Sequence, residues 1–442
     1  RRMPGVAEDG EPLNPGESFS AAPEYPKPIA PKATFCPAYH LGVGFFLVFA
    51  ALMPTQYLLT SLNGTLGYYS IAVLYFCMAF SGPVVPFGIQ YFGGPKTALV
   101  AGSLTYLIFQ VANILIGIPS IPSAASYVVL LPPSALLGIG ACLLWTAEGS
   151  YAARVSRSVD EYQRSLHLEN EQTSTNSLGY VNGVVLLFLQ GANLIMNLAS
   201  SALLSSGASA VTLFIILAAM CGAGCFTLML LPKAPEYAEN RVQQSLRESL
   251  WEMITLHKDR DFLFLMPLIL TLGFNQGYLF STITGDIITP SLGEEWIGYV
   301  MATSAAVDAL GSYAFGYVSD KIGRYPVLAI GFLTNLGGCI VVIVMGVPDK
   351  AYVMAFAVAV LLGIADAVWM TVTSAMLAEQ FRAPKTTAAF AIFTSWRSFC
   401  TALMSLLGPF LPLSVRTAIL AGSVLLAAIT ASIPRHRPAP MA

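Results

Sequence analysis

The chain reads as an all-α polytopic membrane protein, with twelve transmembrane helices in two six-helix bundles. Three observations predict this. Of its 442 residues, 55% are hydrophobic and only 10% charged, whereas ordinary soluble domains carry about 25% charged residues. Twelve apolar runs approach or exceed the roughly 20 residues that a helix rising 1.5 Å per residue needs to cross a hydrocarbon core about 30 Å thick. A charged interruption after the sixth run divides them six and six. Because the runs are continuous and do not alternate over about ten residues, a β-barrel is excluded.

Taken in order, residues 1–38 form a Pro-rich cytoplasmic arm. Pro4, Pro12, Pro15, Pro23, Pro26, Pro28 and Pro31 stand there among mixed charges and few apolar residues. That composition predicts a flexible segment and lacks the apolar core of a signal peptide. The chain starts at Arg1 and not at Met, which leaves open an upstream segment, a transit peptide included. The first bundle, 39–231, takes the spans 40–62, 66–91, 97–118, 127–153, 178–204 and 209–231. The linker, 232–260, opens with Pro232-Lys233-Ala234-Pro235 and sets Val242, Leu246, Leu250 and Met253 at helical spacing among Arg, Gln and Glu. It predicts an amphipathic helix along the cytoplasmic face. The second bundle, 261–433, takes the spans 261–288, 296–318, 325–347, 351–380, 386–409 and 412–433, before a cytoplasmic tail at 434–442.

Net charge is −2 and says little; its distribution says more. With the N-terminus in the cytoplasm, nineteen of the 22 Lys and Arg fall on that side; Lys350 alone lies opposite, and Arg397 and Arg416 sit within spans. The positive-inside bias places both termini in the cytoplasm. None of the seven cysteines falls in an exofacial loop, so no disulfide framework is expected. Cys221 and Cys225 have no His or acid beside them and read as small packing residues. Asn63-Gly64-Thr65 is the one N-glycosylation sequon, on the correct side but in a loop of few residues.

The two halves echo each other. LLGIGACLLWTAEG (136–149) and LLGIADAVWMTVTS (361–374) fall in the fourth and tenth spans, equivalent positions of an internal repeat. Between spans eight and nine the chain reads GYVSDKIGR (316–324). Gly316, Asp320, Gly323 and Arg324 resemble the G-x-x-x-D-x-x-G-R loop signature of the major facilitator superfamily. Its charges can bridge helix ends, and its glycines let them approach. The counterpart loop in the first half, GIQYFGGPK (88–96), sets Phe92 at the Asp position and Lys96 at the Arg position, with no acid nearby.

A narrower resemblance runs through spans two to five. LGYYSIAVLYF (66–76), GGPKTALVAGSLTYLIFQVANI (93–114), LLGIGACLLWTAEGSYAAR (136–154) and NGVVLLFLQGANLIMNL (182–198) are similar to the uncoordinated-93-like family. These are eukaryotic proteins of the major facilitator fold named for an ion-channel regulator. The likeness extends more weakly to GIADAVWMTVTSAMLAEQF (363–381). The family usually has glutamine where this chain has Glu148, and Leu-Thr where it has Ala152-Ala153, so the chain looks like a divergent member. The resemblance implies twelve spans and a regulatory role, as an accessory subunit of a channel or a trafficking chaperone.

Ionisable residues deep in a membrane are costly and mark candidate sites. Asp308, Asp366 and Arg397 fall near mid-span in spans eight, ten and eleven. An Asp366–Arg397 pair with Asp308 nearby reads either as a proton or cation site or as a structural ion pair that sets helix rotation. Glu148, Arg154, Glu379 and Arg382, at the cytoplasmic ends of spans four and ten, join Asp320 and Arg324 as a latch between bundles or as solvated helix ends. Asn182, Gln190, Asn193 and Asn197 form a polar stripe on span five, lining a cavity or bridging helices; Gln56 and Tyr57 add polarity to span one. Asp286 and Arg416 read as water-exposed near the exofacial surface. His40, His167, His257 and His436 are scattered, so no catalytic set, metal site, cofactor or enzyme activity is expected, nor a Walker sequence for ATP-driven pumping. The expected surroundings are the lipid bilayer and another integral membrane protein or channel, with no nucleic acid. Two functions stand: a regulatory, accessory or structural subunit with a transporter fold, and a secondary-active solute transporter with a midplane site, proton-coupled through Asp308 or Asp366. Substrate, partner and organelle are not encoded in any pattern that can be read here.

Overall fold

The computed structural model describes residues 33–85, 89, 91–118, 121–166, 177–233, 246–381 and 385–432. The first helices are α1 (Cys36–Asn63), α2 (Thr65–Ser81), α3 (Pro95–Ile116), α4 (Ser123–Leu166), α5 (Ser177–Ser205) and α6 (Ala210–Leu230). A short α7 (Leu246–Leu256) leads into α8 (Arg260–Gly277), which continues as a π-helical segment (Tyr278–Ile288) and a last turn (Thr289–Leu292). Then come α9 (Ile297–Ile322), α10 (Arg324–Met345), α11 (Tyr352–Gln380), α12 (Lys385–Leu406) and α13 (Leu413–Ser432).

All of these helices except α7 form the transmembrane scaffold, six in each bundle. Nine stretches among the described residues are long and apolar enough to cross a membrane, α8 with its continuation counting as one. The shorter α2, and the more polar α9 and α12, complete the bundles. We call the end where α1 begins the near end, and the end where it turns into α2 the far end.

Local chemistry sets the boundaries. Proline opens α1 and α3 in the first turn, where its missing N–H is no loss. Ser209 caps α6 by accepting from the Thr212 amide at 3.1 Å, and Asp259 caps α8 by accepting from the Asp261 amide at 2.9 Å. The second span ends sooner than its apolar run predicts: α2 stops at Ser81, before Gly82 and Pro83. The fourth runs longer, because α4 carries its polar continuation as helix to Leu166.

Packing repeats between the halves. In the first, α1 lies against α5 and α6, α4 against α2 and α3, and α3 against α6. In the second, α8 lies against α12 and α13, α11 against α9 and α10, and α10 against α13. The shared LLGI run explains part of this. A Cβ on Gly138 would run into the Leu74 carbonyl and stand 2.8 Å from the Cys77 Cβ, so α4 crosses α2 in near-backbone contact. Its equivalent Gly363 also brings α11 close to α9, with the Ser304 carbonyl 2.8 Å from a virtual Cβ. Small residues at such crossings let membrane helices gain dispersion contact where no hydrophobic force drives them together. The bundles meet along α2 with α12 and α5 with α9.

Linker residues 234–245, Val242 included, lie outside the described residues, as do the arm before residue 33 and the tail beyond 432. The described part, α7, docks on α12: Met253 and Leu256 are buried, and Trp396 Nε1 donates to His257 Nε2 at 2.9 Å. Trp251 and Ile254 face outward.

Candidate functional site: polar assemblies between the bundles

Mid-span, α5 reaches across to α9, where Gln190 Nε2 donates to Asp308 Oδ2 at 3.2 Å and Ser312 donates to the other carboxylate oxygen at 3.3 Å. Within the second bundle a chain of amides leads to the second carboxylate. Asn335 Nδ2 donates to Asn275 Oδ1 at 3.0 Å, and Asn275 Nδ2 donates to Asp366 Oδ1 at 3.0 Å. Asn275 and Asn335 are fully buried, and this use of both ends of the Asn275 amide satisfies it.

The expected Asp366–Arg397 ion pair does not form. Asn275 holds Asp366, whereas Arg397 extends over the Phe393 ring, 5.7 Å to its centroid, and donates through Nη1 to the Met370 sulfur at 3.4 Å. Asp308 and Arg397 nonetheless act on Asp366 electrostatically. On the facing bundle Gln56 Nε2 donates to the Tyr75 hydroxyl at 2.9 Å, and the Tyr57 and Tyr75 rings pack on Phe280. Asp308, Asp366, Arg397, Gln190 and Tyr75 all keep partial solvent accessibility.

The α5 stripe is not uniform. Asn182 is exposed, Gln190 reaches Asp308, and Asn193 and Asn197 are buried, with Asn197 Nδ2 donating to the Asn193 side-chain oxygen at 2.7 Å. A shallow lateral pocket of about 510 Å³ opens at the far end, lined by Leu198, Ser205, Trp296, Tyr299, Thr303 and Phe356. It does not include the midplane carboxylates.

At the far end the reading of Asp286 and Arg416 as water-exposed is overturned. Arg416 is only 2% exposed and pairs with Asp286 at 2.8 Å. Its Nη1 donates to Thr282 at 3.1 Å and its Nε to the Leu411 carbonyl at 3.1 Å. Tyr68, from the first bundle, donates to Asp286 and lays its ring beside the guanidinium. Thr60–Thr284, Ser61–Thr289 and the Tyr299 amide to Ser201 are further bonds between bundles on this side. Opposite charges at matched depth in spans seven and twelve were the available signal. Helix rotation, which hydropathy does not carry, decided that they face each other. The acceptor nitrogen of the Asn63 sequon is buried in this structure.

At the near end Gly323 has φ +92°, a backbone region that favours glycine, and turns α9 into α10 in one residue. Arg324 meets Asp320 at 2.9 Å, Glu379 at 2.5 Å and the Ser319 hydroxyl at 2.5 Å. All of these belong to the second half. Gly316 sits on α9 within 3.6 Å of the Thr371 methyl group, measured from a virtual Cβ. Glu148 and Arg154 are half-buried on α4 and take no part in this ion-pair cluster, and Arg382 lies outside the described residues. The described residues therefore assemble the loop motif and Glu379 within one bundle, not a latch across two. Among the described residues no three His, Cys, Asp or Glu side chains gather where a metal could sit.

Packing repeated between two six-helix halves, a between-bundle midplane with carboxylates and the helix-joining G-x-x-x-D-x-x-G-R loop define a membrane protein of the major facilitator class. Solved structures agree on the fold. A D-xylose–proton symporter superposes with a TM-score of 0.64 at 15% identity, over 90% of this chain and 97% of that one. The nucleoside transporter NupG superposes with a TM-score of 0.59 at 14% identity, over 90% of this chain and 98% of that one.

A family model described as ion channel regulatory protein UNC-93 matches residues 60–432. Relatives include UNC93-like protein 3 of Arabidopsis thaliana, 26% identical over 89% of this chain and 85% of that protein. Protein unc-93 homolog A of Bos taurus is 28% identical over 88% of this chain and 91% of that protein. The chain belongs to the UNC-93 family.

Proposed function

We propose that the protein is a regulatory or accessory subunit of another integral membrane protein, built on a transporter fold and set with both termini in the cytoplasm. The observation that carries this is the family match across both bundles, to a family described by ion-channel regulation. The ion pairs at Arg324 and Arg416 support it: among the described residues both fall within the second half, at the two ends of the bundle and not at the midplane carboxylates. In this reading Arg324, Asp320 and Glu379 stiffen the near end of the second bundle, and the exposed flanks of the helices meet the partner within the bilayer.

A second reading, secondary transport, is favoured by one specific observation: Asp308 and Asp366 keep accessible surface in mid-membrane. One experiment separates the two. The tagged full chain, isolated from a eukaryotic host in mild detergent, is expected to bring down one integral membrane partner in stoichiometric amount, whose current or surface level falls when the chain is depleted. Asp366→Asn is expected to leave that association intact. Recovery of the chain alone, with proton-driven uptake into proteoliposomes abolished by Asp366→Asn, would replace the regulatory reading by the transport one.

A further inference from the structure

The guanidinium of Arg397 stands midway along α12, in the plane where charge is most costly to bury. Unlike Arg416 and Arg324, it has no carboxylate partner among the described residues. Guanidinium offers five N–H donors. Here one is directed at the Met370 sulfur, a weak acceptor, and one face rests on Phe393. The remaining donors have no acceptor among the described residues, although an unpaired buried charge is among the most destabilising features a fold can carry. Arg397 nevertheless keeps partial solvent accessibility at this depth.

The opposite wall supplies a second donor. α2 packs on α12, with Phe76 and Phe399 in edge contact at 5.5 Å. Tyr75, beside Phe76, is within electrostatic reach of Arg397. Its hydroxyl oxygen already accepts from Gln56, so its own O–H proton remains to be donated. The Tyr75 ring lies nearly parallel to Phe280, with centroids 5.9 Å apart. Donors from two bundles converge beside aromatic and thioether walls.

We infer that Arg397 and Tyr75 form a binding site for a small organic monocarboxylate with an apolar or aromatic body. The planar fork of Arg397 would take the carboxylate oxygens in a bidentate manner, Tyr75 would add a third bond, and Phe280, Phe393 and Met370 would contact the body. Asp308 and Asp366 are held by neutral amides, and their negative charge disfavours a ligand with a second negative charge. The site goes beyond the regulatory reading and stands whether the chain regulates or transports.

Radiolabelled benzoate binding to the full chain in nanodiscs, in chloride-free buffer, tests this. Saturable binding is expected, with benzoate competing and the neutral isostere benzamide failing to compete. Arg397→Lys, which keeps the charge but loses the fork, should weaken binding about tenfold, as expected for losing about 1.4 kcal/mol. Tyr75→Phe should weaken it by a smaller factor. Unchanged elution and unfolding temperature without ligand guard against variants that merely misfold. The assignment is overturned by any of three results: no saturable binding, equal binding in wild type and both variants, or displacement by benzamide or chloride as effective as by benzoate.

Discussion

In the first half α1 packs on α5 and α6 and α4 on α2 and α3; in the second α8 packs on α12 and α13 and α11 on α9 and α10. The architecture is therefore duplicated, yet the charge is not. Aligning the two LLGI runs sets Ala141 opposite Asp366, Thr373 opposite Glu148 and Arg154 opposite Glu379. Each of the ion pairs at Arg324 and Arg416 has both of its partners in the second half. The first half supplies neutral donors to the midplane and far end, Gln190 and Tyr68 among them. The loops differ in the same sense. Gly94 caps α3 at φ +111° as Gly323 caps α10 at φ +92°. This geometry pairs Gly94 with Gly323, and so Pro95 with Arg324, one residue out of the sequence register that set Lys96 there. In either register the first loop has no acid. Steric requirements of helix crossing and turning are common to both halves; the ion pairs of Arg324 and Arg416 belong to one.

The largest test of that contrast is Arg416→Leu. Removing one partner of a buried pair strands Asp286 and should cost about 3–5 kcal/mol, read as a large fall in unfolding temperature in detergent. Arg154→Leu in the first half should stay within about 0.5 kcal/mol, as surface-type changes do. Equal losses would erase the asymmetry. Next come the crossing glycines. Gly138→Ala and Gly363→Ala should each destabilise by about 1–3 kcal/mol through overpacking. The effect should be greater at Gly138, where the new methyl would press closer on the Leu74 carbonyl than the one at Gly363 on the Ser304 carbonyl. A neutral Gly138→Ala would show that α4 and α2 can separate freely. The smallest effect belongs to Asp320→Asn. Asp320 is 68% exposed and Arg324 keeps Glu379, so stability should change by about 0–1 kcal/mol. A larger loss would make the loop charge more than a local tie.

Much of the fold was legible in sequence. The twelve runs lie on the twelve bundle helices, and the LLGI echo lands on equivalent crossings. The site was legible in part. Asp308, Asp366 and Arg397 stand out as charges in apolar spans, and Gln190 belonged to a visible stripe. Asn275 and Asn335 escaped notice as single amides in apolar runs, although such amides inside spans are themselves a signal. The partner of each charge was the least legible. Asp366 bonds Asn275 and not Arg397, and Arg416 is sealed against Asp286 where water was expected.

Hydropathy and turn residues are local properties, and by themselves they determined the membrane class, the span count and the division into halves, while the motifs of spans two to five carried the family resemblance. The rotation and depth of each helix are set by its neighbours through side-chain packing. Only the tertiary structure, therefore, decided which charges meet, that the bundles are bonded together at the far end, and that Arg397 remains without a carboxylate.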